Sequence, residues 1–540
     1  MEGAHVDRFA EDHLPPPDAM PDLRFDLAGL HYPQRMNAVS YLLDRHIEDG
    51  RGERRCIVAP GAIDWSYGDL HRAVNKIANV LVRDLGVVPG ARVLLRAPNS
   101  PMLAACWLAV LKAGAIAVAT MPLYRSSELR YIIEKARIGL ALCDARLGEE
   151  LKSACERNPS IRLIWFNSDA PDAVEALMDG AHEDFETVPT AADETALIAF
   201  TSGTTGVPKA AMHFHRDLIA TCDTYGKHVL RARPDDLFTG SPPLAFTYGL
   251  GGLLLFPLYA GAATLLLEQA NPEQLLHAVG EFGVTTVFTA PIAYRTMCPM
   301  LERFDVSSLH TCVSAGETLP KIVFDEWLER TKVPILDGIG STEMLHIFIG
   351  SPREKVRSGS TGRVVAGYLA QIHDDEGHPL PIGEVGRLAV KGPTGCKYLD
   401  DERQRAYVQN GWNYPGDAYR IDEDGYFYYV ARTDDMIVSA GYNISGPEVE
   451  QALLAHAHVR EAAVVSKPDP VHGTNIVKAY VVVVAAEHRH ARKADELREH
   501  VKALIAPFKA PREIEFVDEL PRTHTGKVQR YKLRERASSE

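Results

Sequence analysis

Apolar positions in the first two thirds of the chain follow two periods in turn. Tyr67, Leu70, Val74, Ile77, Leu81 and Leu85 recur at helical spacing behind Ser66, a residue suited to capping a helix. Residues 91–98, ARVLLRAP, form a short apolar run that predicts a buried strand. MLAACWLAVLKAG (102–114) predicts a buried helix, and AIAVATMP (115–122) the next strand. SSELRYIIEKAR (126–137) predicts a second helix, followed by strands in IGLALCD (138–144) and IRLIWFN (161–167). This alternation predicts an α/β architecture, with sheets covered by helices.

The pattern changes after about Ser360, where short strands are separated by Gly-, Pro- and Asp-rich turns. It changes again beyond Asp434: 448–459 and 494–508 have helical spacing, while 461–467 and 479–487 are apolar runs suited to strands. A chain of 540 residues exceeds one hydrophobic core. The expected division is a large domain over 1–433, with a β-rich subdomain at about 361–431, and a small α+β domain over 434–540.

Residues 237–267 contain no charged residue and are long enough to span a bilayer. Pro242, Pro243, Gly249, Gly251, Gly252, Pro257 and Gly261 interrupt them, which predicts short buried elements instead. The first residues are acidic and Pro-rich without an apolar core, unlike a signal peptide. The composition, 46% hydrophobic and 24% charged, is that of a globular protein. A formal charge of −14 argues against a nucleic-acid partner. The eight cysteines show no metal-ligand spacing, which predicts free thiols and a cytoplasmic protein without membrane attachment.

Candidate chemistry concentrates in FTSGTTGVPKA (200–210). Gly203 and Gly206 permit the positive φ angles of an anion nest, the hydroxyls of Thr201, Ser202, Thr204 and Thr205 add donors, and Lys209 supplies charge. The spacing is not Walker spacing: two residues separate the glycines, Pro208 precedes the lysine, and KAAMHFH continues as a strand rather than a helix start.

TSGTTGVPK resembles the phosphate-loop signature of the adenylate-forming superfamily, which includes acyl-CoA synthetases, peptide-synthetase adenylation domains and firefly-type luciferases. GIGSTE (338–343), YPGDAYRIDEDGYF (414–427), RTDDMIVSAGYNISGPEVE (432–450) and PRTHTGK (521–527) match further signatures in the same order. The resemblance covers practically the whole chain. It implies two α/β subdomains and a β-barrel-like one in the large domain, followed by a mobile C-terminal domain. It also implies a reaction in which a carboxylate attacks the α-phosphate of ATP and a thiol then displaces AMP. No protein nucleophile is needed, in keeping with the absence of a GxSxG elbow.

By position, the resemblance assigns Thr201, Ser202, Gly203, Thr204, Thr205, Gly206 and Lys209 to the β- and γ-phosphates. Thr342 goes to the α-phosphate and Glu343 to Mg²⁺, a hard cation suited to carboxylate oxygen. Gly316, Glu317, Asp337 and Gly338 are assigned to adenine, and Asp417 and Arg432 to the ribose. Lys527 would bridge the acyl carboxylate and the α-phosphate; on the sequence alone it is one more lysine in a basic tail. Asp434 matches the hinge, and Ser439, Ala440, Gly441 and Tyr442 the coenzyme A tunnel. PRTHTGK also has the spacing at which related synthetases are silenced by lysine acetylation, which makes Lys527 a candidate for such control.

For the acid, PLAFTYGLGG (243–252) and GIGSTEMLHIF (338–348) resemble benzoate-type CoA ligases. This places Phe246, Thr247, Tyr248, Gly340, His346 and Ile347 around a small aromatic acid. Phe246, Tyr248 and Ile347 also suit ordinary core packing. Thr247 stands where those ligases usually carry a small apolar residue, and its hydroxyl favours 2-aminobenzoate beside benzoate. The expected partners are the acid, ATP and CoA, in a monomer or homodimer. Alternatives are another aryl or small acyl acid, loading of a carrier protein, and a degenerate nucleotide or CoA sensor.

Overall fold

The structure, a computed structural model, describes residues 3–61, 63–201, 207–439, 442–469, 474–505, 507–522 and 528–539. At Ile63, Asp434, Val438, Tyr442, Asn443, Asp469, Thr474 and Phe508 it describes the backbone alone. By internal contacts the chain forms two units, residues 1–370 with 390–413, and residues 371–389 with 414–540.

The first unit contains two helix-covered sheets. Across the six-stranded sheet run Arg162–Phe166, Leu140–Asp144, Arg92–Arg96, Ile116–Thr120, Thr195–Thr201 and Lys209–Phe214. All its neighbours are parallel except the last pair, a hairpin that begins at Thr201 opposite Lys209. The strand expected after Lys209 is therefore present. Ser66 caps the helix Tyr67–Asn79 through a reciprocal pair: its hydroxyl accepts from the Asp69 N–H and its own N–H donates to the Asp69 carboxylate.

The second sheet has nine strands. Its six central strands, Arg55–Ala59, Ala263–Leu265, Leu237–Gly240, Thr286–Thr289, Thr311–Ser314 and Ile335–Gly340, lie parallel in that order. Ile347–Gly350 then returns antiparallel to Ile335–Gly340. The uncharged stretch 237–267 resolves into two of these strands and a helical run, Thr247–Leu250, Gly251–Leu255 and Phe256–Ala260. No helix among the described residues is long and apolar enough to cross a membrane. All eight cysteines are buried and unpaired.

In the second unit, Val459–Asp469 pairs antiparallel with Thr474–Val483, which pairs parallel with Glu513–Phe516. Val477, Ala479 and Val481 pack with Leu453 and Val501, while Tyr480 and Val482 pack with Leu533 and Ala537. Both faces are covered, which explains why this segment reads as a continuous apolar run rather than an alternation. The unit also holds the hairpin Asp417–Ile421/Phe427–Arg432, residues expected in the large domain. Ser445, the cap of helix Gly446–Leu454, donates its hydroxyl proton to the Val430 carbonyl and so ties that hairpin to the helix. No sheet among the described residues closes on itself. Where the resemblance implied a barrel-like subdomain, the strands form open sheets whose order ends in free edges.

Candidate active site

In the first unit, the segments singled out by sequence follow the carboxyl ends of parallel strands. Phe246–Tyr248 come after Leu237–Gly240, Gly316 and Glu317 after Thr311–Ser314, and Thr342 and Glu343 after Ile335–Gly340. A parallel sheet gathers ligand groups at that edge, because every connection leaves it on the same side. Ser202, Gly203, Thr204, Thr205 and Gly206 lie outside the described residues; the residues on either side of them are held by several contacts. Thr201 faces Lys209 across the hairpin. Arg403 donates to the carbonyls of Val207 and Pro208 at 2.9 and 3.3 Å, and the Tyr131 hydroxyl to Pro208 at 3.0 Å.

Residues 341–345 form a tight turn in which the Leu345 N–H donates to the Thr342 carbonyl at 3.2 Å. Leu345 takes a positive φ of 71°, uncommon for a residue with a branched side chain. The same Thr342 carbonyl accepts from His213 Nε2 at 2.7 Å, while the Thr342 side chain is left half-buried. Glu343 is buried, and its Oε1 accepts a 2.5 Å hydrogen bond from the Tyr398 hydroxyl. Lys209 Nζ donates to that hydroxyl at 3.2 Å. Behind His213 lies a fully buried ion pair, Lys397 to Asp217 at 2.9 Å. Burial and the Lys397 charge push the His213 imidazole down to about 4, so it is neutral and carries its proton on the nitrogen that faces Thr342.

Of the residues expected around the acid, Tyr248 and Gly340 come together with His346. Tyr248 shares its hydroxyl proton between the carbonyls of Thr289 and Val313, each 3.2 Å away. His346 lies among aromatic rings, with centroids at 4.6 Å (Phe256), 5.3 Å (Tyr225), 5.8 Å (Tyr248) and 6.4 Å (Phe288). Thr247 and Ile347 are buried, and Phe246 half-buried. Gly251 and Gly340 are required by close approach. A Cβ on Gly251 would stand 2.3 Å from His346 Cδ2, and one on Gly340 2.6 Å from the His346 carbonyl.

Tyr225 and Ser314 place buried hydroxyls near Asp337, which hydrogen-bonds with the Ser314 side chain, while His346 hydrogen-bonds with the Tyr248 backbone. Ser314 and Asp337 are neighbours across adjacent strands. Burial pushes the Asp337 carboxyl well above the usual range and the His346 imidazole down to about 3.

In the second unit, Asp417 and Arg432 face each other across their hairpin, and Arg432 Nη1 donates to Asp417 Oδ2 at 3.0 Å and to the Pro415 carbonyl at 2.8 Å. Ser439 is buried at the end of its strand; Ala440, Gly441 and Lys527 lie outside the described residues, as do the side chains of Asp434 and Tyr442. The basic tail is paired within the unit, Arg530 with Glu450, Arg534 with Asp435 and Arg536 with Glu515, so these arginines do not form a free patch. Among the described residues, one group has metal-ligand proximity, His456, His458 and Glu496, and the Lys493 ammonium already donates to His458 and Glu496 there.

Sequence reasoning missed Tyr225, His213, Lys397 and Tyr398. None stands in a motif. The available signal was a charge or hydroxyl inside an otherwise apolar segment, and that signal does not say which partner it meets.

Residues 43–397 match the AMP-binding enzyme family, and residues 448–527 the AMP-binding enzyme C-terminal domain. The benzoate–CoA ligase of Thauera aromatica is 34% identical over 513 residues, 94% of this chain and 97% of that protein. The crystal structure of an anthranilate CoA ligase in complex with anthranoyl-AMP superposes with a TM-score of 0.89 at 31% identity, covering 94% of this chain and 98% of that one. A benzoate CoA ligase from Burkholderia xenovorans gives 0.84 at 32% identity, covering 92% and 100%.

Proposed function

This chain belongs to the AMP-binding enzyme family, and from that premise we propose that it is an AMP-forming ligase joining a small aromatic acid, 2-aminobenzoate or benzoate, to coenzyme A. The acid carboxylate attacks the α-phosphate of ATP and expels pyrophosphate. The coenzyme A thiol then attacks the acyl carbon, loses its proton and releases AMP. Both steps bring anions together, so the protein's task is to align and neutralise charge.

In this reading the loop 201–206 and Lys209 hold the β- and γ-phosphates, and the Thr342 hydroxyl holds the α-phosphate. Gly316, Glu317, Asp337 and Gly338 border the adenine, and Asp417, an acceptor-only carboxylate steadied by Arg432, takes the ribose hydroxyls. Lys527 joins acid and α-phosphate during adenylation. Rotation at Asp434 then replaces it with the segment 439–442 beside the coenzyme A arm. Acetylation of Lys527 would remove the charge that aligns the two anions. Glu343 suits Mg²⁺: it is a hard oxygen donor, and the bound ion would offset phosphate charge there.

The observation that carries the aromatic assignment is the ring of Tyr225, Tyr248, Phe256 and Phe288 about His346, with the Ser314–Asp337 pair near Tyr225 and Tyr248. Aromatic walls with a few polar groups among them suit an aryl acid bearing a hydrogen-bonding substituent. The likeness to benzoate and anthranilate ligases supports the same reading. The test is pyrophosphate release with benzoate, 2-aminobenzoate, 4-hydroxybenzoate and hexanoate, each with and without CoA. Aromatic acids should give pyrophosphate and a CoA thioester. Adenylate without thioester would favour carrier loading, and neither product would favour a sensor.

A further inference from the structure

We propose that Tyr398 is a positioning residue of the nucleotide site, whose hydroxyl stands between Lys209 and Glu343 and keeps them from closing on each other as an ion pair. This rests on the reading above, in which Lys209 meets phosphate and Glu343 meets Mg²⁺.

The direction of the hydrogen-bonded chain is forced by chemistry. An ammonium only donates, an ionised carboxylate only accepts, and a phenol has one proton. Lys209 Nζ therefore donates to the Tyr398 oxygen (3.2 Å), which spends its own proton on Glu343 Oε1 (2.5 Å). Both links are charge-assisted, hence stronger than neutral ones. Glu343 is buried, and in such surroundings an ammonium and a carboxylate attract strongly. A direct pair would commit Lys209 protons and a Glu343 oxygen to each other, and ATP and its metal would have to break it.

Tyr398 can act as a spacer because it cannot follow either partner. It is 1% exposed, and it pairs with Ala211 as an antiparallel bridge against the strand that begins at Lys209. The Met212 N–H donates to the Lys397 carbonyl at 2.7 Å and the Leu399 N–H to the Ala210 carbonyl at 2.9 Å. The Tyr398 N–H donates to Gln404 at 2.9 Å, and the ring lies edge-on to Tyr407 with centroids 5.9 Å apart. Along this extended segment neighbouring side chains leave on opposite sides: Lys397 goes to Asp217 and Tyr398 to Glu343.

Tyr398→Phe keeps the ring and removes the hydroxyl. Calorimetric titration of the full chain with MgATP should show affinity weakened roughly tenfold or more, the scale of one hydrogen bond to a charged group. The KM for MgATP should rise in parallel, while the KM for the acid moves less than about twofold, a split that loss of a merely structural contact does not produce. On a Glu343→Gln background the ion pair cannot form, so adding Tyr398→Phe should weaken metal-free ATP binding by less than about twofold. Thermal unfolding checks that the variants keep their fold. A folded Tyr398→Phe protein with unchanged MgATP affinity overturns the proposal, and so does an equal loss in both backgrounds. Wild-type protein that binds no MgATP overturns the functional reading itself, and the proposal with it.

Discussion

Lys397→Met removes one partner of a buried ion pair while keeping most of the side-chain volume. Lys397 and Asp217 are both 0% exposed, and the ammonium also donates to the Gly395 carbonyl at 3.0 Å and lies 4.4 Å from the Phe214 ring centroid. An uncompensated carboxylate left in such a place costs about 3–5 kcal/mol. Asp217 keeps the Phe214 N–H at 3.0 Å, which points to the lower end of that range. The loss should depend on pH, because His213 Nδ1 lies 3.9 Å from Asp217 Oδ2. In the wild type His213 is held down to about 4 against 6.5 when unfolded. Its burial as the neutral form therefore leaves stability intact above pH 6.5, and about 3 kcal/mol is lost as pH falls toward 4. Without Lys397, Asp217 draws the His213 proton on, so the variant loses less on acidification. Urea unfolding at pH 7.5 and 5.5 should show a gap between the two proteins that narrows at the lower pH. Lys397→Met with Asp217→Asn should recover most of the loss. A gap below about 1 kcal/mol at pH 7.5, or one that does not narrow, would refute the reasoning.

Gly251→Ala would drive a methyl group into His346, which surrounding aromatic rings prevent from moving; we expect a stability loss of about 1–3 kcal/mol by calorimetry and a raised KM for the acid, with the KM for ATP unchanged. Thr247→Ala should lower kcat/KM for 2-aminobenzoate relative to benzoate by roughly tenfold if the hydroxyl bonds the amino group; an unchanged ratio removes the reason for preferring that acid. Lys527→Ala should abolish adenylate formation, read as pyrophosphate release, yet spare thioester formation from a supplied acyl-adenylate. Equal loss of both half-reactions would exclude the division of labour assigned to the C-terminal domain.

The family signature of the glycine-rich loop was legible in the sequence, because its glycines, hydroxyls and one lysine are local properties of eleven consecutive residues. The strand after it, the capped helix at Ser66 and the alternation of sheets and helices were legible for the same reason. The barrel-like subdomain was not, since sheet closure depends on pairings between distant strands. The placement of hairpin 417–432 with the C-terminal unit was hidden likewise. It depends on contacts with helix Gly446–Leu454 that the sequence motifs do not encode.

The one-dimensional order of residues thus determined the family and most of the elements that carry its motifs, both set by short-range spacing and side-chain type. Only the tertiary structure decided how those motifs are held. Lys397 and Tyr398 are adjacent in sequence and unremarkable there, yet one neutralises Asp217 behind His213 and the other spans Lys209 and Glu343. The physical reason is that burial turns an ordinary charge or hydroxyl into a group that must find a partner. Which partner it finds, across separations of 180 residues for Lys397 and Asp217, is settled by packing and not by spacing along the chain.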